Sequence, residues 1–250
     1  MNTLPISVRN TLDFYIKEIN QLNVITGLYL HGSIALHAYE EGKSDIDFVA
    51  TTSRALTEQD AYKLLEIHEK LALACNKPLL DGIYILADNY DDECYYYNEG
   101  RFTKTPHHVS ITWWLLKNKG ITIFGPPLKI TVQTDDLLVY VKRNMNEYWG
   151  ERTNELEERY KGAPTHLVEE EVEWTVLGML RQYYTLQEHD IISKLGAGEY
   201  GLSTLDTQWH PLIQEAINIR KGNPKRYFAT NEERMKKTID FTKELIRFNG

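Results

Sequence analysis

Apolar and polar residues alternate with two different periods along the first half of the chain. A helical spacing of apolar residues predicts a helix over residues 6–20, and a continuous apolar run predicts a strand over residues 25–30. A short helix is predicted at residues 34–39, and further strands at residues 46–50 and 80–86. Strands that alternate with helices in this order are typical of an α/β domain whose helices pack against a sheet.

The segment after the second strand combines clear and ambiguous patterns. Thr57, followed three residues later by Asp60, predicts the start of a helix through a capping box. Residues 88–107 are polar and rich in aspartate and tyrosine, and therefore predict a loop. Thr105-Pro106 is interpreted as the start of a buried helix, because proline fits the first helical position. Residues 121–124 form the last predicted strand.

The second half of the chain contains helical patterns only. A Gly-Pro-Pro break leads us to place a domain boundary near residues 126–134. Beyond it, apolar stripes predict helices over residues 135–160, 166–188, 211–221 and 231–248. The predicted architecture is an α/β (α+β) domain with a mixed sheet flanked by helices over residues 1–130, followed by an all-α helical bundle over residues 131–250.

Composition and charge narrow the class of partner. The 250 residues are 42% hydrophobic and 26% charged, as in ordinary globular proteins. The formal net charge of −8 disfavours nucleic acid as a partner and favours a cationic small molecule. The sequence has neither an apolar run long enough to span a bilayer nor the regions of a signal peptide, so we expect a cytoplasmic protein without a membrane partner.

The strongest chemical signal lies where the first two strands end and begin. Asp45 and Asp47 project to the same face of a strand, where two carboxylates repel each other unless a cation such as Mg²⁺ lies between them. Gly32-Ser33 offers backbone N–H groups and a hydroxyl that suit phosphate oxygens. The alternative is an ordinary turn beside two solvated aspartates. The order of strand, turn, helix and acidic strand favours a site for Mg²⁺ and a triphosphate.

A third carboxylate opens the next predicted strand. Asp81 can complete the metal site and take a proton from an incoming hydroxyl, as a general base does. The alternative for Asp81 is a turn aspartate before Gly82. The acidic, aromatic segment over residues 88–107 can either form the wall of a site for a polycation or simply cover an edge of the sheet.

The Gly-Ser turn followed by the Asp-x-Asp strand resembles the signature of the polymerase-β-like nucleotidyltransferase superfamily. With the helical motifs at residues 174–181, 192–194 and 209–216, nearly the whole chain is similar to the aminoglycoside adenylyltransferases that modify streptomycin and spectinomycin. The resemblance implies transfer of AMP from ATP, with two Mg²⁺ ions, to a hydroxyl of such an acceptor, and release of pyrophosphate. It also implies a cytoplasmic enzyme, which we expect to be a monomer.

The same resemblance assigns roles to the residues of the first half. Asp45 and Asp47 match the metal-binding aspartates of the family, and Ser33, next to Gly32, matches the serine that holds the phosphates. Asp81 falls where the family has a glutamate that serves as the catalytic base, so the carboxylate is kept on a side chain one methylene shorter.

In the second half, the resemblance implies nucleotide and acceptor contacts. Arg181 and Lys194 match a basic pair that grips the triphosphate when the two domains close. Taken without the family, they are either phosphate donors or part of a solvated helix face. Glu171 falls where an acidic residue reaches the drug, and with Glu99 and either Glu169 or Glu170 it would attract a protonated aminocyclitol.

The sequence departs from the family where the acceptor would bind. A Gly-Glu-Trp triplet is replaced by the segment Asn98–Phe102, in which either Phe102 takes the place of the tryptophan or nothing does. Trp174 stands where smaller polar residues meet the drug, and Arg220 stands where a tyrosine is expected. The predicted acceptor contacts are therefore Glu99, Phe102, Glu171 and Trp174, in a pocket that differs from that of its relatives.

Two other functions fit parts of the pattern. One is nucleotidyl transfer to a different hydroxylated acceptor, such as a lincosamide or a protein. The other is a nucleotide-binding module without catalysis, similar to an antitoxin that pairs with a helical partner. The presence of all three carboxylates, Asp45, Asp47 and Asp81, argues against the second.

Overall fold

The computed structural model describes residues 4–74, 79–87, 93–98, 100–106 and 110–249. The chain forms two compact units, Met1–Gln133 and Thr134–Gly250. None of the helices within the described ranges is both long and apolar enough to cross a membrane.

The first unit is built on a mixed sheet. Its described strands are β1 (Ile25–Leu30), β2 (Ile46–Thr52), β3 (Leu80–Leu86), β4 (Glu93–Asn98), β5 (Arg101–Pro106) and β6 (Ile121–Phe124). They lie in the order β5-β4-β3-β2-β1-β6. Strands β2 and β3 are parallel, whereas the other neighbouring pairs are antiparallel. This sheet brings the beginnings of β2 and β3 side by side.

Helices cover both faces of this sheet. They are α1 (Ile6–Ile19), α2 (Gly32–Ala35), α3 (Glu58–Ala74) and α4 (Ser110–Lys119). Apolar residues of α1 and α3, such as Leu12 and Leu64, pack with Phe48 in one core. Trp113 of α4 packs with Val49 in a second core on the opposite face. Alternation of side chains along each strand supplies apolar residues to both cores.

The second unit is helical in its described residues. Its elements are α5 (Thr134–Asn144), a π-helical turn (Met145–Trp149), α6 (Gly150–Arg159), α7 (Thr165–Glu188), α8 (Lys194–Thr204), α9 (His210–Lys221) and α10 (Asn231–Asn249). Helix α7 packs against α5, α8, α9 and α10 and so forms the centre of the unit. The predicted fold class, an α/β domain with a mixed sheet followed by a helical region, is confirmed.

Three predictions in the first unit are wrong. The helix predicted at residues 34–39 is shorter, because α2 ends at Ala35 and His37 adopts a left-handed conformation with φ of 54°. Part of the predicted polar loop is the hairpin of β4 and β5, so Thr105-Pro106 ends a strand and α4 begins only at Ser110. Tyrosines have high strand propensity, and those of β4 alternate between the two cores, which outweighs the polar composition of the segment.

In the second unit, the prediction missed α8. Its three glycines, Gly196, Gly198 and Gly201, are typical of a loop. Two of them allow close packing instead, because a Cβ at Gly198 would lie 2.7 Å from Ile217 and one at Gly201 2.6 Å from Leu180. The helix predicted over residues 135–160 is present as α5 and α6, with the π-helical turn between them.

Candidate active site

In the turn between β1 and α2, the backbone at Gly32 lies in close contact with the carboxylate of Asp47. Gly32 has φ of 59°, and a Cβ at this position would lie 1.7 Å from Oδ2 of Asp47. The preceding residue, His31, donates its backbone N–H to the carbonyl oxygen of Asp47 at 3.0 Å. Glycine is therefore required here both by the backbone conformation and by the closeness of Asp47.

Asp47 and Asp81 are direct neighbours on the two parallel strands. The register of β2 and β3 pairs these residues, and the flanking Ile46 and Phe48 of β2 are fully buried. The burial of Ile46 and Phe48 fixes the strand so that Asp47 faces away from the core they enter. Asp45 lies before the first residue of β2 and is exposed. The sheet thus brings Asp47 and Asp81 together and leaves Asp45 at the edge of the site.

The two oxygens of Asp81 have different environments. Oδ2 accepts a hydrogen bond from Nδ2 of Asn98 at 2.6 Å, whereas Oδ1 is buried and has no hydrogen-bond partner among the described residues. Burial raises the pKa of Asp81 to about 6, and repulsion from Asp47 and, less strongly, from Asp45 adds to this effect. Hydrogen bonds from Asn98 and from Tyr96 oppose the increase in pKa. A buried carboxylate oxygen without a partner is costly, and in proteins such atoms are concentrated at functional sites.

Within the part of the chain that the structure describes, two further buried atoms at this end of the sheet have no hydrogen-bond partner. They are the hydroxyl of Ser33 and Nε2 of His31. Burial lowers the pKa of His31 to about 4, against the influence of a hydrogen bond with the Phe48 backbone. A neutral imidazole and a hydroxyl are available here as donors or acceptors for a ligand.

The acidic residues fit a divalent cation bound through two carboxylates. Among the described residues, no group of three or more His, Cys, Asp and Glu side chains is arranged to hold a metal ion. Mg²⁺, however, is commonly bound by one or two carboxylates and completes its shell with phosphate oxygens and water. The repulsion between Asp47 and Asp81 and the unpartnered Oδ1 of Asp81 match that requirement.

The predicted phosphate-binding pair lies in the second unit, close to Glu173. Nζ of Lys194, the first residue of α8, lies 3.1 Å from Oε1 of Glu173, and a guanidinium nitrogen of Arg220 lies 3.5 Å from the same oxygen. Arg181 on α7 donates from Nε to the carbonyl oxygen of Ile192 at 3.0 Å. Burial lowers the pKa of Lys194, and repulsion from Arg220 and Arg181 contributes, although Glu173 opposes it. Arg220 is thus a third cation in this cluster.

The predicted acceptor-binding acids of α7 are engaged in ion pairs. Glu171 is 4% exposed, and its Oε2 lies 2.6 Å from a guanidinium nitrogen of Arg152. Glu169 accepts two hydrogen bonds from Arg226, at 2.7 and 2.8 Å. Glu170 is exposed and, with Glu171, lines a cavity of about 600 Å³ within this unit.

The predicted aromatic and acidic contacts at the acceptor have different locations. Trp174 lines the same cavity, and its ring centroid lies 4.6 Å from that of Trp149. Phe102 on β5 instead stacks on Tyr95 at a centroid distance of 5.2 Å and packs against a core of the first unit. Glu99 lies outside the described residues.

Sequence reasoning missed Asn98 and Arg152. Asn98 was read only as part of a departure from the family pattern, yet it holds Asp81. No local pattern indicates Arg152, because it contacts Glu171, 19 positions away, and this contact depends on the tertiary placement of α6, which packs against α10.

Two family models and one solved structure are similar to this chain. The family model described as "Nucleotidyltransferase domain" matches residues 13–77, and the model described as "Aminoglycoside adenylyltransferase, C-terminal domain" matches residues 145–244. The fold is similar to that of spectinomycin adenyltransferase AAD(9) from Enterococcus faecialis, solved with ATP and spectinomycin, at 18% identity and a TM-score of 0.71. This likeness covers 96% of the present chain and 99% of the other. A search of curated proteins finds no match. The first model covers Gly32, Ser33, Asp45 and Asp47, and the second covers Glu171, Arg181 and Lys194, so the chain is similar to nucleotidyltransferases in its first unit and to the aminoglycoside adenylyltransferases in its second.

Proposed function

We propose that this enzyme transfers AMP from ATP to a hydroxyl of an aminoglycoside or aminocyclitol antibiotic and releases pyrophosphate. The observation that carries the proposal is the pairing of Asp47 and Asp81 on adjacent parallel strands, with Oδ1 of Asp81 buried and unpartnered. The matches to the two family models support the transfer of a nucleotidyl group, and the similar structure contains ATP and spectinomycin.

Asp81 is proposed to act as the general base. Its pKa of about 6 suits a carboxylate that must be ionised near neutral pH and still accept a proton. Asn98 holds Oδ2, so Oδ1 is the oxygen left to receive the proton from the acceptor hydroxyl. The deprotonated hydroxyl oxygen then attacks the α-phosphorus, and the bond to pyrophosphate breaks.

Other residues of the chain bind and position the nucleotide in this proposal. Ser33 and the backbone at Gly32 contact phosphate oxygens, with the unpartnered Ser33 hydroxyl as donor. Asp47 and Asp81, with Asp45 beside them, would hold Mg²⁺, which supplies neutralisation of phosphate charge when bound.

The second unit carries its own group of cations that suit a triphosphate. Arg181 offers a planar fork and Lys194 a point charge for triphosphate oxygens. Arg220 shares Glu173 with Lys194, and repulsion between these cations would be relieved by a polyanion. This basic cluster supports ATP as the co-substrate.

Release of pyrophosphate tests the proposal directly. Purified protein is mixed with ATP and Mg²⁺ and with streptomycin, spectinomycin or a lincosamide, and the acceptor is weighed by mass spectrometry. We expect release that needs both an aminoglycoside-type acceptor and Mg²⁺, together with an acceptor that is heavier by one adenylyl group. Release with the lincosamide alone would assign another acceptor class, and a protein that is inert with every acceptor would contradict the proposed activity.

A further inference from the structure

A single arginine of α6 binds two residues of α7 at the same time. The guanidinium of Arg152 donates to Glu171 through Nε at 3.3 Å and through a terminal nitrogen at 2.6 Å. Its central carbon also lies 4.5 Å from the ring centroid of Trp174. A carboxylate fork and an aromatic face are the two groups that bind a planar cation best.

Glu171 and Trp174, which bind the Arg152 guanidinium, are also held in place by residues other than Arg152. Tyr160 donates to Oε2 of Glu171 at 2.6 Å, and Thr175 donates to Oε1 at 2.6 Å. Trp174 is held by the ring of Trp149. Because Glu171 is 4% exposed, its charge requires a nearby cation, and that cation is the Arg152 guanidinium.

Glu171 and Trp174 line a cavity that can hold a ligand. Arg152, Tyr160, Glu171 and Trp174 all line the cavity of about 600 Å³ in the second unit. Cavities of this size are typical of sites for small molecules. The guanidinium of Arg152 therefore lies at the wall of a ligand-sized cavity, in the position that a cationic group of a ligand would otherwise take.

We propose that Arg152 is a specificity-determining residue that fills the cation position of this cavity with the chain's own guanidinium. The acceptor group that faces Glu171 and Trp174 is then uncharged, and acceptors with a guanidinium at that point are disfavoured. The effect on acceptor choice rests on the proposed function, whereas the filled cation position does not. Arg152 acts here by excluding a competing cation, and it takes no part in the reaction.

Rescue of a truncated arginine by a small cation tests the cation position. Arg152→Ala should lower the Tm, because Glu171 is left buried without its cation. Methylguanidinium chloride should then restore most of that Tm, and should quench tryptophan fluorescence with a Kd on the order of millimolar, as expected for a small ion. Sodium chloride at the same ionic strength controls for screening.

Arg234 provides a matched control in the same unit. It forms an equally close ion pair, at 2.6 Å, with the buried Glu215, and it does not line the cavity. Arg234→Ala should lose stability without recovering it in methylguanidinium. Equal recovery in both variants, recovery in neither, or a similar Tm increase in the unmodified protein would each overturn the proposal.

A double variant keeps the test decisive if Arg152→Ala does not fold. Arg152→Met combined with Glu171→Gln removes both charges, so no buried ion is left unpaired. We expect this protein to fold and to show no response to methylguanidinium. If the double variant responded to methylguanidinium as strongly as a folded Arg152→Met single variant, Glu171 would not be the residue that binds the cation. That result would overturn the proposal.

Kinetics then test acceptor choice. In Arg152→Met, KM for streptomycin, which carries guanidinium groups, should fall by about tenfold, the value of one charge-assisted hydrogen bond. The KM for spectinomycin should change little. A KM for streptomycin that is unchanged or higher would contradict the specificity role. If the unmodified enzyme adenylylates nothing, the proposed function fails, and the rescue experiments still decide the role of Arg152.

Discussion

Two sites, one in each unit, treat buried polar groups in opposite ways. At the end of the sheet in the first unit, the Ser33 hydroxyl, Nε2 of His31 and Oδ1 of Asp81 are buried without hydrogen-bond partners. In the second unit, Glu169 and Glu171 are each matched by an arginine. Unpartnered atoms raise the free energy of the folded protein unless a ligand uses them, whereas a buried charge that is matched by an opposite charge avoids that cost.

Under the proposed function, this difference separates the chemistry from the selection of the acceptor. The sheet offers atoms that are ready for substrate, so substitutions there should affect turnover. The helical unit offers charges that are already engaged, so substitutions there should affect affinity and stability. The following predictions test that separation, beginning with the largest expected effect.

Asp47→Asn should abolish turnover and leave the fold intact. Removal of one ligand charge is expected to cost on the order of several kcal/mol in the transition state. Pyrophosphate release measures the loss, and circular dichroism confirms folding. Asp13→Asn, on α1 of the same unit, provides a control for the charge change alone. Release at the normal rate from folded Asp47→Asn would remove Asp47 from the site.

Asp81→Asn should reduce kcat by about 10²–10⁴-fold, the usual contribution of a general base. ATP binding should remain, because Ser33 and Asp47 are unchanged. Asp81→Glu restores a carboxylate and should recover measurable activity. Turnover and calorimetric ATP binding are measured for both variants. A reduction of only a few-fold in Asp81→Asn would contradict the role of Asp81 as base.

Arg181→Ala and Lys194→Ala should each weaken ATP binding by about 1–3 kcal/mol, the range for a hydrogen bond to a charged group. Calorimetry gives the Kd of each variant. Lys221→Ala is a suitable control, because Lys221 is half exposed and forms only a surface ion pair with Glu199, at 3.8 Å. An unchanged ATP Kd in both Arg181→Ala and Lys194→Ala would place these residues on a solvated helix face.

The smallest expected effect concerns Asp60, an acidic residue of the first unit that forms an ion pair with Arg54. Arg54 and the hydrogen bonds from Thr57 hold the pKa of Asp60 well below its usual range. Its contribution to stability is therefore present above the unfolded pKa, near 4, and is lost as the pH falls towards the lower folded value. Asp60→Asn should lower the free energy of unfolding at pH 7 by about 1 kcal/mol, the usual effect of losing a helix cap. The Tm at pH 7 should fall accordingly.

Thermal unfolding from pH 7 to pH 2 checks this prediction. The Tm difference between Asp60→Asn and the unmodified protein should shrink as the pH falls. A difference that grows at low pH would contradict the assignment. Asp81, in the same unit, has a raised pKa, so it is the presence of a cationic partner, and not the unit, that sets the direction.

The sequence predicted those parts of the fold and site that depend on local pattern. The apolar runs around Gly32 and Asp47 identified β1, β2 and the turn between them. The hairpin of β4 and β5 was missed because its tyrosines are counted as polar, although their rings pack into the cores. Helix α8 was missed because its glycines pack closely against α7 and α9, which no local pattern can show.

The contacts of the site side chains were beyond prediction for a related reason. Asn98 reaches Asp81 only because β4 lies next to β3 in the sheet. Arg152 reaches Glu171, 19 positions away, only because tertiary packing places the beginning of α6 near α7. The types of the reacting residues follow from the sequence, whereas the groups that hold or neutralise them follow from tertiary packing.

The π-helical turn between α5 and α6 sets the direction in which the side chains of α6 project around the helix axis. Buried residues recur at every fourth position along this helix, namely Leu137, Val141, Met145, Trp149 and Thr153. In a straight α-helix a four-residue step advances by about 40° beyond a full turn, so these five residues would wind about 160° around the axis. The wider turn compensates part of that drift. Deleting one of its residues would rotate Arg152 by about 100° away from Glu171 and Trp174, so a length change in this turn would alter acceptor choice without substituting a single cavity residue.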